Sequence, residues 1–204
     1  YDAKGLLIAS IEDKSPVIFI EHRLLYEHIG YVPKNSYSVP IGKGAIRKVG
    51  RDATVVGISH MAFESLKAAE ILKREGFDIE VIDIRSIKPL DDELIFKSVK
   101  KTGRLVIADT GWITGGAAAE ISARVAGSVF KYLKAPVLRV CCPDCPTPAS
   151  PLLEKNFYPG AREIVSAVKR SARNETGHIR YNPCFKRRKK YRICHRKCAI
   201  GHRQ

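Results

Sequence analysis

The sequence has a single methionine, a single tryptophan and no long apolar run. No window approaches the roughly 18 consecutive apolar residues that a membrane helix requires, so no membrane is expected among its partners. The chain opens Tyr1-Asp2-Ala3-Lys4, with no initiator methionine, no basic-then-apolar signal pattern and no transit-peptide composition. The expectation is a chain truncated at its amino end, whose compartment is not written in its first residues. Cysteine is absent before Cys141; the six are Cys141, Cys142, Cys145, Cys184, Cys194 and Cys198. That distribution excludes the evenly spaced disulfide framework of a small secreted domain and points to a reducing compartment. A G-x-G-x-x-G pattern is missing too, which removes the dinucleotide-binding turn.

What is present is ordinary for a globular chain: 45% hydrophobic and 28% charged residues over 204, enough for one full domain plus extra pieces. The net charge of +15 is unevenly placed. Residues 1–44 balance, residues 45–173 carry a modest basic excess, and residues 174–204 set ten Lys/Arg against Glu175 alone. Most of the excess is therefore local, and the whole-chain isoelectric point says little about function.

Apolar runs bounded by glycine and proline give the organisation. Residues 3–12 read as a helix, Val17–Ile20 as a buried strand, and residues 27–44, with Gly30, Pro33, Pro40 and Gly42, as a linker. Strands are then expected at 53–58, 79–84, 105–108 and 137–140, and helices at 61–75, 92–101, 115–133 and 160–173. In the helix over 61–75, Ala62, Leu66, Ala69 and Leu72 share one face; in that over 115–133, Ala118, Ile121, Val125, Val129 and Tyr132 form a stripe. Gly76 and Gly103 close two helices, and Asp91 can cap one. Strands alternating with such helices predict an α/β fold: a mostly parallel sheet with helices on both faces.

Particular residues go further. Asp2-Ala3-Lys4-Gly5-Leu6-Leu7 and Ile11-Glu12-Asp13-Lys14-Ser15-Pro16-Val17-Ile18-Phe19 are followed by Arg85-Ser86-Ile87-Lys88-Pro89-Leu90-Asp91. Lys101-Thr102-Gly103-Arg104-Leu105-Val106, Thr114-Gly115-Gly116 and Pro143-Asp144 with Pro146 and Pro148 come next. In this order, over roughly residues 2–170, they resemble the beta subunits of thiamine-diphosphate-dependent 2-oxoacid dehydrogenases, such as the first components of the pyruvate, branched-chain 2-oxoacid and acetoin complexes. The resemblance implies four segments: 1–26, the end of a pyrimidine-binding domain; 27–44, a linker; 45–173, a transketolase C-terminal-like domain; and 174–204, a basic tail outside the family pattern. It implies thiamine diphosphate and Mg²⁺ shared with an alpha subunit. The partner's Gly-Asp-Gly…Asn motif holds the diphosphate, and a Glu upstream of Tyr1 serves the aminopyrimidine ring. No Gly-Asp-Gly occurs here. No catalytic and no cofactor-binding residue is therefore expected in this chain, and alone it should be inactive. The implied partners are the alpha subunit, a second beta subunit in an α2β2 heterotetramer, and the peripheral-subunit-binding domain of the acyltransferase core. The implied location is the cytoplasm, or the mitochondrial matrix in a eukaryote. The terminal domain of a transketolase or deoxyxylulose-phosphate synthase is the alternative within the superfamily.

One site transfers by the same resemblance: a potassium ion held mostly by carbonyls of Ser10, Ile11, Asp13 and Ser15, against which stands a plain turn with Asp13 and Ser15 bonding their own backbone. Glu21-His22-Arg23 and His60 are each read at the carboxyl end of a strand, where α/β sheets place ligands; polar groups bonding loop backbone are the simpler reading for both. Thr114-Gly115-Gly116 opens a helix and offers N–H groups to an anion, or else lets two backbones approach at a subunit contact. Cys141, Cys142 and Cys145 are read as buried thiols at a strand end rather than the start of a metal site. In the tail, Lys186-Arg187-Arg188-Lys189-Lys190 with Tyr181, Phe185 and Tyr191 suits nucleic acid, and Cys184, Cys194, Cys198 and His202 are enough for one Zn²⁺. The spacing fits no common finger and little there is apolar. Disorder, or residues decoded out of the native frame, is the simpler reading.

Overall fold

Four runs rich in Val and Ile, each too short for a helix and each followed by an amphipathic stretch, dictate the centre of the molecule. The computed structural model describes residues 1–173; the tail at 174–204, with its nucleic-acid and zinc readings, lies outside the described residues. Among those described, the elements run α1 (Asp2–Glu12), β1 (Ala45–Lys48), β2 (Ala53–Gly57), α2 (His60–Arg74), β3 (Ile79–Asp83), α3 (Asp92–Thr102), β4 (Leu105–Trp112), α4 (Ala117–Val129), β5 (Leu138–Cys142), α5 (Pro151–Phe157) and α6 (Ala161–Arg173). Short 3-10 turns lie at Arg23–Leu25 and Phe130–Tyr132.

The strands form one sheet in the order β1-β3-β2-β4-β5, parallel except for β1, which pairs antiparallel with β3 at the edge. Alternation along the buried strands divides the core into two layers. Val55, Val81, Val106 and Val140 pack with Met61, Ala69 and Leu72 of α2 and with Ile164 and Val168 of α6. Val56, Ile82, Leu105 and Ile107 point the other way, onto Ile95 and Val99 of α3 and Ala118, Ile121 and Val125 of α4. The expected α/β sheet with helices on both faces is what forms. Local signals agree with it: Asp91 accepts a hydrogen bond from the Leu94 N–H at 3.3 Å to cap α3, and Gly103 ends that helix at φ 74°. Phe77 N–H reaches Leu72 carbonyl at 2.9 Å and Gly76 N–H reaches Lys73 carbonyl at 3.1 Å, the pair of bonds that closes α2.

Three expectations need correction. Val17–Ile20 is not a strand: it is irregular, with Ile18 88% and Ile20 83% exposed. A strand exists only through the ladder beside it, and no strand of the described residues runs there. β1 and α5 were absent from the sequence reading. The helix expected over 115–133 stops at Val129 and continues as a 3-10 turn, which leaves Tyr132 at its rim, half-exposed.

Candidate functional site at the carboxyl edge of the sheet

α2 follows β2 on one face, whereas α4 follows β4 on the other, and β2 and β4 are neighbours. The carboxyl ends of those two strands therefore make the switch point at which sheets of this kind place ligands. Four groups of polar residues lie along this edge or beside it.

At the end of β2, Ser59 takes φ 55° and ψ −126°, left-handed backbone that a serine seldom adopts. It turns the chain into α2 and sets His60 against the segment that precedes the sheet. The rings of His22 and His60 stack with centroids 5.0 Å apart, and His28 lies 4.0 Å from Phe63, a residue of the same first turn of α2. His22 caps the 3-10 turn, its Nδ1 accepting the Leu24 N–H at 3.3 Å. Burial, and next the charge His22 can carry, push His60 below the ordinary histidine value, with Glu64 opposing. Glu64 accepts from Lys67 at 2.7 Å and from the Ala161 N–H at 3.0 Å. Although burial alone would raise it, these bonds hold its carboxyl below the usual range. Sequence reading placed His22 and His60 each at the end of a strand; the fold places them on each other, and His22 in a turn.

At the end of β3, Arg47 bridges Asp83 (2.7 Å) and Asp2, while Arg85 reaches Asp2 at 2.9 Å and the Lys43 carbonyl at 2.8 Å. These arginines fasten α1 to the sheet. Sequence reading missed both, because their carboxylate lies more than 40 residues upstream.

At the ends of β4 and β5, Thr114 gives its N–H (3.2 Å) and its hydroxyl (2.6 Å) to Asp144. Asp109, 7% exposed, accepts the Gly111 N–H at 2.9 Å. The N–H groups offered to an anion at the start of α4 are thus turned in part to the chain's own carboxylate. The close approach that requires a glycine is also internal: a Cβ on Gly116 would lie 2.6 Å from the Trp112 carbonyl oxygen. Cys141 and Cys142 are unpaired thiols that burial, aided by Asp109, pushes up to about 12 and about 11. Thiols so hard to ionise are poor nucleophiles and poor metal ligands.

Beyond the edge, the turn after α1 has Ser10 donating its hydroxyl to the Leu6 carbonyl at 2.7 Å and Asp13 accepting the Ser15 N–H at 2.7 Å. Ser10 and Ile11 lie in the last turn of α1, where carbonyls have no partner within the helix.

Among the described residues no three His, Cys, Asp or Glu side chains converge to hold a metal ion. The carboxylates at the edge are engaged: Asp83 with Arg47, Glu64 with Lys67, Asp144 with Thr114. No described helix is long and apolar enough to cross a membrane.

The chain is 42% identical over 171 residues to the beta subunit of acetoin:2,6-dichlorophenolindophenol oxidoreductase of Cupriavidus necator, covering 84% of this chain and 51% of that protein. It is 44% identical over 169 residues to the pyruvate dehydrogenase E1 component subunit beta of Rhizobium meliloti, covering 82% and 37%. The chain thus spans about half, or less, of the length of the curated relatives it matches. Among solved structures, a split-gene transketolase described as an inactive beta4 tetramer superposes with TM-score 0.62 at 28% identity, over 68% of this chain and 45% of that one. Residues 42–164 match the model of the transketolase C-terminal domain, and the chain belongs to that family.

Proposed function

We propose that this chain is the carboxyl-terminal part of the beta subunit of a thiamine-diphosphate-dependent 2-oxoacid dehydrogenase. On this reading it works by completing an assembly and holds no reaction centre of its own. The observation that carries the reading is the 42–44% identity to acetoin and pyruvate dehydrogenase beta subunits over more than four-fifths of the chain. The cofactor's diphosphate and Mg²⁺ are assigned to an alpha subunit and its ring carboxylate to residues upstream; the edge described above supports this, since its acidic groups are spent on internal contacts. The exposed Ile18, Ile20, Ile29 and Tyr31 suit burial against such neighbours, including a second beta chain. Docking of an acyltransferase's peripheral-subunit-binding domain, location in the cytoplasm or mitochondrial matrix, and a K⁺ at the carbonyls of Ser10, Ile11, Asp13 and Ser15 belong to the same proposal. What supports the K⁺ is the place of Ser10 and Ile11 in the last turn of α1, where carbonyls have no partner within the helix.

Incubating the 204-residue chain alone with pyruvate or 2-oxobutanoate, thiamine diphosphate, Mg²⁺ and dichlorophenolindophenol tests the shared site. The expected result is no dye reduction above buffer; steady turnover overturns the reading. The split-gene transketolase supports a second reading, in which the partner is a transketolase alpha chain. Mixing with purified alpha subunits of each kind, followed by size-exclusion chromatography, separates the two: co-elution with the dehydrogenase alpha chain is expected.

A further inference from the structure

Two ring contacts join residues 13–31, the stretch after α1, to helix α2. Ile18, Ile20, Ile29 and Tyr31 are all more than four-fifths exposed and, of its large apolar side chains, Phe19 and Leu25 alone are half-buried, so apolar burial holds it down only weakly. The bonds inside residues 21–28 are those of one 3-10 turn and its neighbours: Leu25 N–H to the His22 carbonyl at 2.9 Å, Tyr26 N–H to the Arg23 carbonyl at 3.2 Å, His28 N–H to the Leu25 carbonyl at 3.2 Å, and the Tyr26 hydroxyl to Glu21 at 2.8 Å. Its ring contacts with α2 are the stack of His22 on His60 at 5.0 Å and the tilted pair of His28 and Phe63 at 4.0 Å.

We infer that residues 22–28 form a proton-operated latch, docked on α2 while His22 and His60 are neutral and released when the pair takes up protons. Two features of the geometry require neutrality. His22 accepts the Leu24 N–H through Nδ1, so a proton on that nitrogen turns the acceptor into a second donor and removes the cap of the turn. His60 lies face to face with His22, so two imidazolium rings oppose like charges over one ring-stacking distance. The charged groups around His60 do not cancel this. Glu64 stands 3.7 Å from its Nε2 but is bound by Lys67 and by the Ala161 N–H, and Lys67 and His28 add positive charge. Near His22, Glu21 is turned to the Tyr26 hydroxyl and Arg23 adds a further cation. His60 Nδ1 is buried and has no hydrogen-bond partner in the docked arrangement, so a proton there finds no acceptor.

The sign follows from linkage. In the docked arrangement burial, and then the facing His22, hold His60 below the ordinary histidine value, so the part of this that docking supplies stabilises docking above that value and is lost as the pH falls through the lowered one. Release would uncover α2's first turn and free an apolar segment in the range where histidine titrates.

The test is amide hydrogen exchange by NMR on the full chain at pH 7.5 and pH 5.0, corrected for intrinsic rates, read at Leu24, Leu25, Tyr26 and His28. Protection is expected to fall about three- to tenfold at pH 5.0, while Val39, held by the Gly5 carbonyl at 3.0 Å, stays protected. His60→Phe keeps a ring in the stack without a proton to gain, and His22→Asn keeps an acceptor for the Leu24 N–H; in the double variant the fall should vanish. A native chain whose protection does not change, or a double variant that loses it equally, overturns the latch. Should the variants loosen the segment at pH 7.5, the ring-proton titration of His22 and His60 in the native chain decides. A midpoint shared with the Leu24 amide supports the proposal, and unrelated midpoints sink it.

Discussion

Glu80 is the charged side chain most deeply placed in the sheet among the described residues, at 1% exposure near the start of β3. It survives there because every approach is polar: Ser98 and Lys101 of α3 both donate to it, and the Gly50 N–H lies 3.4 Å away. The network extends through the Thr54 hydroxyl, 2.7 Å from both Ser98 and Thr102. Removing one member of such a buried set costs more than the set contributes, because the remaining donors stay dehydrated. Glu80→Ala is therefore expected to lower stability by about 3 kcal/mol in denaturant titration. Lys101 is half-exposed and can turn to water, so Ser98 and Gly50 bear most of that loss. Glu80→Gln, which keeps one acceptor oxygen, should cost less, about 1–2 kcal/mol. Had the two variants cost the same, the charge would be incidental and shape alone would matter. Asp144→Ala sits at the other extreme: its partner Thr114 is exposed, so the loss should be well under 1 kcal/mol, seen mainly as faster exchange of the Thr114 amide.

Whether an element was legible in the sequence depended on whether its stability is local. β2, β3 and the first half of β4 are short buried stretches dominated by Val, Ile and Ala, and such residues at that length admit little else. α3 carries its own start and stop in Asp91 and Gly103; Asp91→Ala should cost about 1 kcal/mol, measured by thermal unfolding, and Asp91→Asn much less. β1 hid because Ala45-Ile46-Arg47-Lys48 is short, half-polar and exposed, with its identity supplied by β3 across the edge. α5 hid behind its prolines: Pro151 sits in its first turn, where proline is tolerated, yet it reads as part of a loop. Val17–Ile20 misled in the opposite direction, with strand-forming residues and no ladder to join. The histidine pair was half legible: each ring was placed near the carboxyl edge, but 37 intervening residues conceal that they stack. Gly57 shows a constraint that no local pattern carries. A Cβ there would stand 2.4 Å from Ala62 Cα and 2.6 Å from Ala62 N, so α2 can follow β2 this closely only over a glycine. Gly57→Ala should destabilise by at least about 2 kcal/mol, since the obstacle is backbone and cannot rotate away.

At the scale of the molecule, the question is what makes α1 part of the same body as the sheet. Its apolar contact is small: Gly5 lies under Val39 and Tyr37, and Ile11 is exposed. Polar fastenings supply the rest. The Lys4 ammonium reaches the Pro33 and Asn35 carbonyls at 2.6 and 2.9 Å, and Asp2 is shared between Arg47 and Arg85. Burial raises the Asp2 carboxyl, but the hydrogen bonds and charges of the two arginines outweigh it and hold the group below the ordinary aspartate value. A carboxyl with a lowered value in the docked state contributes stability that is complete above the undocked value, near pH 4, and disappears as the pH falls through the lowered one. Helix α1 should therefore come away from the sheet in acid, as the pH falls below about 4, before the sheet itself opens. The Val39 amide, bonded to the Gly5 carbonyl at 3.0 Å, reports the event, and the buried Val106 amide in β4 serves as the control. In Asp2→Asn the Val39 amide should exchange several-fold faster already at pH 6, and its remaining protection should no longer respond to acid in that window. An Asp2→Asn chain that keeps the native acid response would place the fastening elsewhere, in the Lys4 carbonyl cluster. Because that cluster has no acid group to titrate, the two fastenings are separable by pH alone.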